Sequence, residues 1–213
     1  MSSFSRKAEA EDIVSNGGAR EHDSVEILLD RLTMRSLIIP DDISCVHGWV
    51  QRDYARFWGM QGLGVDQVAD AYRDIIAPND VEAHLGFYTD APAFLLETYR
   101  PHCSVLVHHY ESWASDQGMH LLVAPAERPI PGFTRAVFFF VMDFLFLDSE
   151  TTRVVVEPDV RNEKIRALNL VAGFQEMAEI DLPATSTTPA KRAMLSICSR
   201  EDYAVARRRG LRT

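Results

Sequence analysis

The chain has 213 residues, 46% hydrophobic and 25% charged, with a formal net charge of -9. That balance suits a water-soluble folded chain with one core, and it excludes nonspecific binding to nucleic acid or an anionic membrane, which needs clustered Lys and Arg. Cys45, Cys103 and Cys198 are odd in number, widely spaced and without a C-x-x-C pair, so neither a disulfide framework nor a zinc site is expected and a reducing cytoplasm fits.

Residues 1–24 are studded with charges and lack a continuous apolar stretch, which predicts a flexible tail and no secretory signal. Residues 25–213 are expected to form a single domain. "RLTMRSLI" (31–38) has the alternation of a strand, and "PDDISCVHGWVQ" (40–51) opens with Pro and Asp like a helix. "RFWGMQGLG" (56–64) fits neither period. "VDQVADAYRDIIA" (65–77) is an amphipathic helix with Val65, Val68, Ala69, Tyr72, Ile75 and Ile76 on one face.

A meander of strands is predicted next. "HLGFYTDAPAFLLETY" (84–99) supplies two strands around a turn at Asp90, Ala91 and Pro92, and "SVLVHHY" (104–110) a third. In such a strand His108 and His109 would point to opposite faces, so they are not a metal site. "MHLLVAP" (119–125) is a fourth strand, followed by a Pro/Gly turn and a greasy helix. That helix has only about a dozen apolar residues and contains Asp143, too short for a membrane span of ~20. "TRVVVEPD" (152–159) is a strand, "RNEKIRALNLVAGF" (161–174) a helix closed by Gly173, and "GFQEMAEIDL" and "KRAMLSICS" are the last two strands, joined by a surface hairpin loop over 183–192. The order implies an α/β fold: a mixed, mostly antiparallel sheet with helices on both faces and a strand, helix, strand crossover.

A strand ending at Pro125, a turn, and a helix starting near Gly132 would leave free backbone N–H groups facing outward. Such a terminus favours phosphate. Arg128, Arg135, Arg161, Lys164 and Arg166 gather in sequence around it and supply local positive charge on an acidic chain.

The order of elements resembles the GNAT superfamily of acyl-CoA acyltransferases. More narrowly, "FWGMQG", "PAFLLETY", "DQGMHLLVAP", "PGFTRAV", "RVVVEPDVRNEKIRALNLVAGF" and "KRAMLSICSRED", spread over roughly residues 33–203, look like the hydroxamate siderophore acyltransferases. One departure stands out: where the superfamily's phosphate turn carries Arg or Gln and a final small residue, this chain has Pro129 and Thr134. The resemblance implies acyl-CoA, as succinyl-CoA or acetyl-CoA, with no metal, and a small N-hydroxylated amine as acceptor. N-hydroxycadaverine is favoured, with N-hydroxylysine the near alternative. It implies His120 and Asp159 as the catalytic pair, and CoA contacts from Leu122, Val123, Ala124, Arg128, Gly132, Phe133, Thr134, Arg135 and Asn162. Trp58, Gln61, Glu97, Tyr110 and Trp113 are expected to roof the acceptor pocket, aromatics against methylenes and Glu97 against a distal ammonium. A histidine suits the reaction because its unperturbed pKa is ~6.5 and a proton must leave the attacking nitrogen. Neither nucleic acid nor membrane is an expected partner, and either a monomer or a homodimer is compatible. Two other readings stay open: an acyltransferase for aminoglycosides or protein N-termini, and an inactive module that only binds acyl-CoA.

Overall fold

Alternation along the strands decides the layering. Successive strand residues point to opposite faces, and Phe94 and Leu96 join one buried cluster while Leu95 joins another. The sheet is therefore covered on both sides. The computed structural model describes residues 25–184 and 189–210; the expected tail over 1–24 and the middle of the expected loop over 183–192 lie outside the described residues.

Strands β1 (Leu32–Ser36), β2 (Val81–Tyr88), β3 (Ala91–Tyr99), β4 (Asp116–Val123), β5 (Arg153–Val156), β6 (Gln175–Leu182) and β7 (Lys191–Ser199) form one sheet in the order β1-β2-β3-β4-β5-β7-β6. All neighbours are antiparallel except β4 and β5. Helices α1 (Ile43–Val50) and α2 (Val65–Ile76) cover one face through Val46, Val50, Val68 and Tyr72, packed with Leu85, Leu95 and Leu122. On the other face lie α3 (Phe133–Leu145), α4 (Glu163–Val171) and α5 (Arg200–Gly210). This is the mixed α/β architecture the sequence predicts. Parallel strands need a crossover, and α3 provides it, burying Phe138, Phe139, Val141 and Met142. Among the described residues no helix is long and apolar enough to cross a membrane.

Two elements differ from the sequence-based expectation. The stretch 104–110 is not a strand: it forms short 3-10 turns at Pro101–Cys103 and Val105–His108, the second opened by Ser104 Oγ accepting the Leu106 N–H. β2 and β4 already occupy both edges of β3, so a strand there has no partner. The helix α5 is additional. Its acidic first turn (Glu201, Asp202) and basic last turn (Arg207, Arg208, Arg209) match the helix dipole.

The parallel pair is short. Asp116 faces Arg153, Gln117 faces Val154 and Gly118 faces Val155. Beyond Gly118 the strands part: β4 continues beside β3 to Val123, while the chain after β5 stays with β7, the Met194 N–H donating to Pro158 O and the Val160 N–H to Arg192 O. A lock holds the closed end. Arg153 Nε and Nη2 donate to Asp116 Oδ1 and Oδ2 at 2.7 and 2.8 Å, and the Asp116 carboxylate, fully buried, also accepts from Tyr110 Oη and the Trp113 N–H, both at 2.9 Å. The Trp113 ring stacks 3.5 Å from the Arg153 guanidinium. Asp116→Ala would leave that cation without its partner, which costs about 3–5 kcal/mol for a buried pair; the loss is read as a lowered midpoint in urea unfolding.

Candidate active site

Where β4 and β5 part, a cavity of about 440 Å³ opens through the sheet. Trp58, Tyr54 and Phe57 wall it on the α1/α2 side, and Phe138, Ile165 and Asn169 on the other. His120 stands at the junction. Glu97 and His120 are register partners on β3 and β4, so their side chains rise on the same face. Tyr99 and Gly118 are the next such pair, and the tyrosine ring lies across the glycine. A Cβ on Gly118 would come within 2.2 Å of that ring, which is why a residue without a side chain occupies the position.

The imidazole is held at both ends. His120 Nδ1 lies 3.0 Å from Glu97 Oε2 and Nε2 lies 2.8 Å from Glu157 Oε1. The carboxylates are only 9% and 6% exposed, whereas the ring keeps 39% of its surface. Tyr72 Oη donates to Glu97 Oε1 at 2.9 Å, Trp58 Nε1 donates to Tyr72 Oη at 3.1 Å, and Tyr99 Oη donates to Glu157 Oε2 at 2.6 Å. Lys191 Nζ stands 3.5 Å from Glu157 Oε1. The Tyr99 ring lies 5.1 Å from the imidazole and the Trp58 ring 6.3 Å, edge-on.

Burial opposes charge on the His120 ring, but the Glu157 charge and the hydrogen bonds from Glu157 and Glu97 outweigh it and push the pKa up to about 9. Burial also works to raise the Glu157 carboxyl, yet the His120 cation and Lys191 hold it well below the usual carboxylate range. Burial, reinforced by the neighbouring glutamates, raises Tyr72 and Tyr99, so both remain donors. At neutral pH the ring is an imidazolium donating from both nitrogens. The carboxylates grip opposite edges of it, an arrangement that chelates no metal ion, and among the described residues no group of three or more His, Cys, Asp or Glu is placed to hold one.

The remaining expected residues separate into two sets. Trp58, Glu97, Leu122, Asp159 and Asn162 line the same cavity as His120. Asp159 does so with its carboxylate taken up by Arg161, from the N–H at 2.9 Å, Nε at 2.8 Å and Nη2 at 2.7 Å; these hydrogen bonds lower its pKa. The acid from this segment that meets His120, opposite Glu97, is Glu157, two residues earlier. Asn162 precedes α4 without capping it through its side chain.

Other residues lie beyond the cavity wall. Gln61 donates to Arg52 O, and Tyr110 and Trp113 belong to the Asp116–Arg153 lock. Val123 pairs with Phe94, and the Ala124 N–H is taken by Ala93 O at 2.8 Å. Gly132, with φ 74°, turns the chain into α3, whose first turn has no capping side chain. The Phe133 ring meets Tyr88 edge-on, Thr134 and Arg128 are exposed, and Arg135 is half-buried. Arg166 is committed to Glu176. Sequence reasoning missed Glu157, Tyr99, Tyr72 and Lys191. A signal existed: "LLETY" sets an acid inside a largely apolar strand and "VVVEPD" sets one at the end of an apolar run, and a buried acid demands a partner.

Residues 39–182, more than half of the chain, match the model of an Acetyltransferase (GNAT) domain. The chain belongs to the GNAT acetyltransferase family. Its members are acyl-CoA N-acyltransferases. A curated relative, the N(6)-hydroxylysine O-acetyltransferase of Escherichia coli, is 26% identical over 128 residues, 60% of this chain but only 40% of that protein. Among solved structures, an uncharacterized protein of Bacillus halodurans superposes with a TM-score of 0.74 at 22% identity over 82% of this chain and 87% of that one. AAC(6')-Ib in complex with paromomycin and acetyl-CoA gives 0.67 at 20% identity, covering 82% and 97%. Spermidine N-acetyltransferase of Vibrio cholerae with CoA and spermine gives 0.62 at 17%, covering 82% and 99%. At these identities the likeness is one of fold.

The clamp predicts a titration. Because the folded pKa of about 9 exceeds the ~6.5 of an unfolded imidazole, the stability it contributes is complete below pH ~6.5 and disappears as pH rises through about 9. Removing one carboxylate charge as Glu157→Gln lowers the ring's pKa by about 1–3 pH units, the usual effect of an adjacent opposite charge. Imidazole resonances followed by NMR against pH measure both values.

Proposed function

We propose that the protein transfers an acyl group from an acyl-CoA, acetyl-CoA or succinyl-CoA, to the nitrogen of a small N-hydroxylated amine, forming a hydroxamate. The observation that carries this reading is the His120 ring, clamped by Glu97 and Glu157 on the cavity wall where β4 loses its neighbour. The β4 edge beyond Gly118 suits the amide-bearing arm of coenzyme A, laid alongside like an added strand, with Leu122 and Asn162 on the wall. The start of α3 after Gly132, with Thr134, Arg135 and Arg128 nearby, is the place for the pyrophosphate. Trp58, Tyr54 and Phe57 suit a methylene chain, and Asp80 and Asp159, also on the wall, suit a distal ammonium.

In the reaction the nitrogen lone pair attacks the thioester carbonyl carbon. The C–N bond forms, the C–S bond breaks, CoA leaves as thiolate and the nitrogen gives up one proton. His120 accepts that proton only in its neutral form and only through a nitrogen that its carboxylate partner releases, so kcat/KM rises with pH until the ring titrates, at about 9 in the free enzyme. A hydroxylamine nitrogen is already neutral near pH 7, whereas an alkyl amine is mostly protonated there. Asp159, ionised and held by Arg161, is the second polar group of the acceptor site in this reading.

A second reading, an acceptor with an α-carboxylate such as N-hydroxylysine, is favoured by Lys191 and Arg100 on the same wall and by the likeness to the hydroxylysine enzyme.

Thiol release with cadaverine, N-hydroxycadaverine and N-hydroxylysine, each with acetyl-CoA and succinyl-CoA, tests these readings. The hydroxylated acceptor is expected to exceed its parent amine by up to roughly 10⁴-fold in kcat/KM, the scale set by leaving a site's buried polar groups unpaired. Equal rates for the two amines would refute the hydroxamate reading and leave acyl transfer standing. His120→Ala is expected to lower kcat by about 10²–10⁴ at unchanged CoA affinity.

A further inference from the structure

Asn169 lies on α4 with 3% exposure, and neither Nδ2 nor Oδ1 has a hydrogen-bonding partner among the described residues. Buried polar groups are nearly always paired, and one left without a partner costs stability. The side chain lines the cavity beside Phe138, Val156 and Ile165. We propose that Asn169 is a binding residue for the arm of the acyl donor, its carboxamide pairing with one of the arm's amide groups. The inference rests on the acyl-CoA reading above.

Chemical complementarity selects the arm. A carboxamide offers both N–H donors and a carbonyl acceptor, and both sets are vacant here. A secondary amide, with its carbonyl and its N–H, answers both; a hydroxylamine head also donates and accepts, but in this reading it stands at His120. The arm of coenzyme A has two secondary amides, while a hydroxylated diamine has none and an acetyl thioester only a carbonyl. Position agrees. Asn162 and Asn169 lie seven residues apart and both line the cavity, which places them about 10 Å from one another along the helix. Across from them run Leu121 and Leu122, on the strand edge that β5 has left. A diamide chain lying there meets backbone polar groups on one side and carboxamides on the other, with Phe138 and Val156 against its methylenes.

Replacement by leucine separates a ligand contact from a structural one. Asn169→Leu keeps the branched shape, at a somewhat larger volume, and deletes the unpaired atoms, so the ligand-free protein is expected to melt at the same temperature or higher. Its calorimetric Kd for CoA is expected to weaken at least about tenfold, the scale of one lost hydrogen bond. Pantetheine, the arm alone, loses affinity in proportion, while adenosine bisphosphate, the nucleotide half, binds as before. Wild-type affinity of the variant for CoA overturns the inference, and so does an equal loss for adenosine bisphosphate, which marks general damage. Should the wild-type protein fail to bind CoA, the acyl-CoA reading falls as well, a different result from binding that ignores the substitution. Asn169→Ala, measured alongside, serves if leucine overfills the site, with the same outcomes.

Discussion

An imidazolium ring bridging two buried carboxylates is the interaction on which the centre of this molecule depends. Glu97 comes from β3, His120 from β4 and Glu157 from the chain just past β5, so the bridge spans the point where the sheet opens. Two carboxylates at 9% and 6% exposure would repel each other and pay heavily for desolvation without a cation between them. The ring supplies it. Tyr72 and Tyr99 donate to the outer oxygens, and Lys191 stands near Glu157, so the carboxylates are engaged on the sides away from the ring as well.

The opening itself is a consequence of unequal partners. β4 keeps β3 from Gly118 to Val123, whereas the chain after β5 follows β7, and β4 and β5 share only three register pairs. The Asp116–Arg153 pair, enclosed by Tyr110 and Trp113, makes the closed end rigid. Tyr99 can cross β4 only because Gly118 has no side chain, and that crossing carries its hydroxyl to Glu157. Sheet geometry and site chemistry thus meet in one glycine. A gap through the sheet also gives a cavity with two walls of different character, aromatic on the α1/α2 side and mixed apolar and carboxamide on the α3/α4 side.

Family membership fixes the architecture, not the acceptor. The solved relatives share the fold at 17–22% identity across complexes with an aminoglycoside and a polyamine. In the reading proposed above, discrimination among amines falls to the side chains around His120, which form an aromatic wall with carboxylates and two cations, Arg100 and Lys191.

The amino-acid sequence by itself determined the α/β layering, the crossover between β4 and β5 and the order of elements apart from the 3-10 turns after β3 and the final helix α5, because hydrophobic period and turn residues are local signals. His120, Glu97, Leu122, Asp159 and Asn162 could be placed in one site on motif resemblance, and they do share a cavity. The stretch 104–110 misled because an apolar run becomes a strand only when an edge is free to pair with it, and β3 had none. Tyr110 and Trp113 have a composition that suits a pocket roof equally well, yet a buried Asp116–Arg153 pair claimed them. Only the tertiary structure decided that Glu157 meets His120 while Asp159 goes to Arg161, and that the ring is charged at neutral pH. Those outcomes depend on distances between residues 23 and 37 positions apart or on which of two acids just past one strand finds a neighbour, and neither is written in any local pattern.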